Sequence, residues 1–316
     1  MVWIFISIIL CMRVVQSVFN KKNSNALPKN AIGYLKYVLL YMSIACALAT
    51  SLFAINMAVS DAKLDFVVQT ALYASITGIS LATTCICSLY NLSNGTMALN
   101  SLFSTAGLLI PTVASIFLYG ETLEIWHWAA IVIFMVGAFL LVGSSKAIYG
   151  NFSIKSLASL VIMLVSEGCT MLMQKSFGMN FPGGNVSLFS ACLFASGAVI
   201  LSLALGALCI AYKVKGGAQA SNNGGFTLLP ASMGDAKLDK KIYVYAFLLA
   251  GAVFVINQLA TKSTPLISAV VLFAFINGGA TIISTLVGAT LFKEKISARS
   301  AIGLVLGIGS LILLQI

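Results

Sequence analysis

Stretches of about twenty apolar residues recur along the whole chain, each closed by a short break rich in charge, Gly, Pro or Asn. That punctuation constrains the fold more than any motif does. The hydrocarbon core of a bilayer is about 30 Å thick, so a spanning helix needs roughly 20 apolar residues. Only helices and closed barrels satisfy every backbone polar group inside it. The breaks predict spans near 2–20, 37–57, 66–88, 95–118, 126–144, 154–176, 187–212, 242–261, 265–291 and 298–316. The expected fold is an all-α integral membrane protein with ten transmembrane helices. Charged residues make up 8% of the chain, against about 25% in soluble domains, so a water-soluble core is excluded.

The first twenty residues have no basic stretch before Trp3 and no small-residue cleavage site after them, so Val2 to Asn20 is read as a retained span. The long polar stretch from Lys213 to Lys241, with Gly216-Gly217 and Ser221-Asn-Asn-Gly-Gly225, reads as a flexible loop.

The net charge of +10 is no nucleic-acid signature, because the basic residues sit between apolar runs and do not cluster with aromatics on one face. Fourteen Lys and Arg fall in the connections after spans one, three, five, seven and nine; three (Lys63, Lys175, Lys262) fall on the other side. The positive-inside rule places the fourteen in the cytoplasm. Both termini and the acidic Glu121–Glu124 loop are then expected outside the inner membrane.

The halves repeat at fixed offsets. Tyr119-Gly-Glu121 precedes span five and Phe292-Lys-Glu294 precedes span ten, with the glutamates 173 residues apart; Asn20-Lys21 and Gln174-Lys175, 154 apart, end spans one and six. Residues 1–149 and 150–316 therefore read as two five-helix repeats. Five is odd, so the second lies inverted in the membrane, the plan of many secondary transporters.

The segments Phe117-Leu-Tyr-Gly-Glu-Thr to Leu141 and Leu291-Phe-Lys-Glu-Lys-Ile to Leu314 resemble the repeat ends of the EamA-type drug/metabolite transporter superfamily, as does the five-plus-five plan. The resemblance covers nearly the whole chain. It implies transport of amino acids, metabolites, drugs or nucleotide sugars. It also implies both termini inside, against the charge count. Helices in the middle of each half line the substrate path in that superfamily, which makes Asn100, Ser104, Asn257 and Asn277 cavity candidates.

Arg13 and Glu167 are the two charges placed clearly mid-span, where each costs about 2.5–3.5 kcal/mol on insertion scales. They are 154 residues apart and so occupy equivalent positions in the two halves. One reading has them facing a shared cavity, binding a zwitterionic or charged solute or letting Glu167 titrate as a coupling group; the other makes them a structural ion pair. On span three, Gln69, Tyr73, Thr77, Ser80, Thr84 and Ser88 lie on one helical face. Tyr73 and Thr77 are read as cavity residues, with hydroxyl bonding between helices as the alternative for the stripe. Ser104 and Asn277 are 173 apart and equivalent by the repeat. Lys175 is read as snorkelling to the surface, Pro111 as a hinge or a static kink in span four, and Gly303-x-x-x-Gly307 as a close-packing face toward span five or a homodimer partner.

No P-loop, metalloprotease signature or selectivity-filter motif is present, and the seven cysteines show no disulfide or zinc spacing. No cofactor, metal or nucleic-acid partner is expected. A small-molecule transporter among membrane lipids is the expected function, with an intramembrane lipid-acting enzyme or a non-transporting scaffold as alternatives.

Overall fold

The computed structural model describes residues 2–28, 30–59, 65–93, 103–142, 154–214, 229–280, 282–283, 286, 290 and 298–313. Among them the chain is helical throughout: α1 Val2–Ala26, α2 Ala31–Val59, α3 Val67–Ser93, α4 Leu109–Tyr119, α5 Ile125–Val142, α6 Ile154–Asn180, α7 Val186–Val214, α8 Lys240–Ser263, α9 Ala269–Phe273 running on as a π-helical segment Ala274–Gly278, and α10 Ala298–Leu313. α2, α3, α6, α7 and α8 each hold a stretch long and apolar enough to cross a membrane, and five further apolar helical stretches run 10–17 residues. Large apolar side chains cover the outside, among them Val59, Val68, Phe117, Ile125 and Val214. A bilayer solvates such a surface, as expected of a membrane protein.

Packing runs mainly between the first five helices and the last five. α3 lies on α6 and α7, α8 lies on α1 and α2, α2 packs on α7, α5 on α10, and α4 on α6 and α9. Glycines make the closest of these contacts possible. A Cβ on Gly78 of α3 would collide with Ser196 Oγ and the Leu193 carbonyl of α7. A Cβ on Gly137 of α5 would lie 3.0 Å from Gly303 O and from Gly307 N, so the Gly303-x-x-x-Gly307 face packs on α5 within the chain. Gly78→Ala is expected to destabilise the protein by about 1–3 kcal/mol through overpacking. Gly251→Ala, where a Cβ meets nothing within 4 Å, should be neutral or stabilising by up to about 1 kcal/mol. Thermal unfolding in detergent compares the two, and equal midpoints would contradict the packing described.

One sequence expectation changes. The 213–241 stretch is not flexible throughout. Its residues 215–228 lie outside the described residues, but Met233–Ala236 forms a 3₁₀ turn with a Ser232/Asp235 capping box. Asn30 Nδ2 donates to the Asp235 carbonyl at 3.3 Å, and Ala236 is fully buried, so this end of the loop is docked at the α1–α2 corner. In span four, a helical turn at 103–106 stops at Gly107–Leu108 before α4 begins. Pro111 has no N–H to give the Gly107 carbonyl, which accepts from Ile110 N at 3.2 Å instead.

Candidate functional site

A cavity of about 370 Å³ lies between the halves, within the range of small-molecule sites. α6 gives it Glu167, Thr170, Met171 and Gln174, and α8 gives it Val253, Ile256, Asn257 and Ala260. Both sets follow the i, i+3, i+4, i+7 spacing of a single helical face. α1 adds Arg13 and Gln16, α2 adds Tyr41, and α3 adds Leu81, Cys85 and Ser88. The turn before α4 brings Ser104, and α9 brings Phe273, Ile276 and Asn277. Asn277 sits in the π-helical segment, a local widening of the helix often found at functional sites.

Arg13 and Glu167 thus share one space, and among the described residues no ion pair joins them. Arg13 donates to Gln16 Oε1 at 2.8 Å and reaches Asn277 Oδ1 at 3.5 Å, the latter beyond ordinary hydrogen-bond length. Its Nε is buried with no partner. Asn277 Nδ2 lies 3.3 Å from Met171 Sδ. Gln174 Nε2 donates to Asn257 Oδ1 at 2.9 Å, and Asn257 Nδ2 to the Val253 carbonyl at 2.9 Å. The site therefore offers a guanidinium, a carboxylate, oriented amides and hydroxyls around an aliphatic and aromatic wall. It can hold opposite charges on one small solute.

Of the residues singled out in the sequence, Arg13, Glu167, Ser104, Asn257 and Asn277 line the cavity. Asn100 lies outside the described residues. Tyr73 and Thr77 do not line it. Tyr73 packs edge-on against Phe181, with ring centroids 5.3 Å apart, and Thr77 is fully buried, donating to the Tyr73 carbonyl at 2.7 Å. They share the α3 face of Leu81, Cys85 and Ser88, one to two turns nearer the helix start, where Phe177, Phe181 and Phe189 fill the space. Gln258 also turns away, into a network in which it accepts from Ser190 Oγ at 2.7 Å and donates to Ser187 Oγ at 3.0 Å. Gln16, Thr170 and Gln174 were missed as cavity residues. They follow Arg13 and Glu167 by three or seven positions, so extending each charged face would have found them.

One residue past Gln174 on α6, outside the cavity lining, lies a polar cluster. Lys175, 2% exposed, pairs with Glu121 Oε1 at 2.7 Å and donates to the Thr264 and Ile267 carbonyls at 2.8 and 2.9 Å. Glu121 Oε2 accepts from Ala269 N at 3.0 Å, at the first residue of α9. Tyr119 donates to Ser176 Oγ at 2.6 Å beside it. The lysine does not snorkel outward.

No protein-family model matches the chain, and no curated protein matches it. A solved structure described only as a crystal structure of a protein is similar, at a TM-score of 0.65 over 98% of this chain and 94% of its own, with 14% identity. At that identity the likeness shows the fold alone.

Proposed function

We propose that the chain is a secondary or facilitative transporter built from two inverted five-helix repeats, carrying a small zwitterionic or charged solute by alternating access. The observation that carries this reading is the central cavity, where Arg13 and Glu167, from matching positions in the two halves, face one space with no direct ion pair between them. A solute bearing a carboxylate and an ammonium satisfies both.

The repeat is supported beyond the original offsets. Arg13 and Gln16 correspond to Glu167 and Thr170 at 154 residues, Leu81, Cys85 and Ser88 to Val253, Asn257 and Ala260 at 172, and Ser104 to Asn277 at 173. Exchanging the halves carries the main packing pairs into one another: α3 on α6 becomes α8 on α1, α3 on α7 becomes α8 on α2, and α2–α7, α4–α9 and α5–α10 map onto themselves. Such two-fold relatedness around a midplane site is the architecture of inverted-repeat carriers. The resemblance to the EamA-type drug/metabolite superfamily agrees with it. The lysine and arginine distribution favours external termini and a cytoplasmic face at the ends of α1, α3, α5 and α7.

A thermal-shift screen of amino acids, purines, sugars and organic cations, followed by counterflow in proteoliposomes, tests the reading. A ligand at a hundred times its Kd stabilises by about 2.7 kcal/mol, so the solute should raise the melting point and exchange across the membrane. If no solute of these classes exchanges, the proposal fails.

A further inference from the structure

We propose that the ion pair between the buried Lys175 and the partly buried Glu121 is a latch that shuts one end of the cavity and must part for the solute to pass, an inference that rests on the transporter reading. The pair sits one residue past Gln174, the last cavity residue of α6, where the end of α4, the end of α6 and the turn from α8 into α9 meet. It joins the two halves, since Glu121 follows α4 and Lys175 belongs to α6.

Its bonding is complete on the lysine side. An ammonium has three donors, and here they go to Glu121 and to two carbonyls of the Thr264–Ile267 turn. That turn is drawn against α6 at Gly178, where a Cβ would collide with Thr264 Oγ1. The other oxygen of Glu121 holds the first N–H of α9, where a carboxylate is favoured by the helix dipole. One ion pair thus ties down the start of the helix that carries Phe273, Ile276 and Asn277 into the cavity. Between the latch and Asn277 the helix turns from α to π, a place where backbone bonding already shifts between partners. A solute held at Asn277 and Arg13 is coupled to the latch through nine residues of one helix.

The aromatic layer beside the latch points the same way. Tyr73 and Thr77 continue the cavity face of α3 past the closed end, where Phe181 covers Tyr73. Parting the latch would extend the path along that face. An ionic latch suits an alternating closure, because both partners are hydrated when apart, whereas an apolar plug must expose its surface to water.

Cys85 lines the cavity as a free thiol and serves as the reporter. In a variant keeping Cys85 as its one cysteine, reconstituted with known orientation, a membrane-impermeant methanethiosulfonate is applied from the face of the α4–α5 turn. Labelling should be slow with the pair intact and at least tenfold faster in Glu121→Gln and Lys175→Met. Unchanged rates in both would overturn the latch. A second arm places Glu121→Cys and Lys175→Cys in a cysteine-free background and joins them with a short bis-methanethiosulfonate. Counterflow should stop and return with reductant; full transport while cross-linked also overturns the proposal. If the charge-removed variants do not insert, the cross-linked protein decides. Latch-dependent labelling of Cys85 in a protein that exchanges no solute would keep the latch and remove the transporter reading instead.

Discussion

Glu167→Gln is expected to insert and fold like the native protein and to lose transport by roughly ten- to hundredfold. The expectation comes from what the carboxylate does not do. Among the described residues it makes no direct ion pair with Arg13; the two charges attract across the cavity, so the isosteric amide weakens a longer-range attraction and breaks no contact pair. The substitution also removes an insertion cost of about 2.5–3.5 kcal/mol for a charge at mid-membrane. A structural role predicts a damaged fold; a solute-binding role predicts an intact fold and a lost function. A hydrogen bond to a charged group contributes about 1.5–3 kcal/mol, and 1.4 kcal/mol is tenfold in affinity. Counterflow, with the melting point as the fold control, separates the outcomes. Native exchange rates in Glu167→Gln would remove the carboxylate from the solute site.

The spans were legible because the bilayer imposes a length and a composition, and α2, α3, α6, α7 and α8 fall where the apolar runs predict. Arg13 and Glu167 were legible together because both are charges inside apolar runs and one 154-residue offset relates them, and both line the one cavity. Tyr73 and Thr77 were misplaced because periodicity reports a face of α3 and not how far along it the cavity runs; Phe181, from the other half, decides that. Lys175 was misread for a related reason. The apolar run ends near residue 176, but α6 continues to Asn180, leaving the lysine more than a turn inside the helix. Gly178 then lets the Thr264 turn close over it. The offsets had matched Lys21 with Lys175 and Glu121 with Glu294. That a lysine of one half meets a glutamate of the other is a tertiary fact no offset contains. Glu294 lies outside the described residues.

Reversing the charge at either central position should abolish transport, and reversing both should restore at least a tenth of the native rate. Arg13→Glu places two carboxylates in one buried cavity, and Glu167→Arg places two guanidinium groups there. Like charges in such a space disfavour ionisation and leave a zwitterion with one unmatched end. The double variant Arg13→Glu/Glu167→Arg returns one charge of each sign. The two positions correspond by the 154-residue offset and face the same space, so a zwitterion can bind end for end. Recovery should be partial, because Gln16 beside Arg13 corresponds to Thr170 beside Glu167, and the hydroxyl supplies no amide oxygen for a guanidinium like that of Gln16. Interaction between the reversals, measured as a double-mutant cycle on counterflow rates, distinguishes a shared solute from two independent roles. If the double variant is no better than the worse single one, the two charges do not act on one solute, and the central cavity does not bind it in the way proposed.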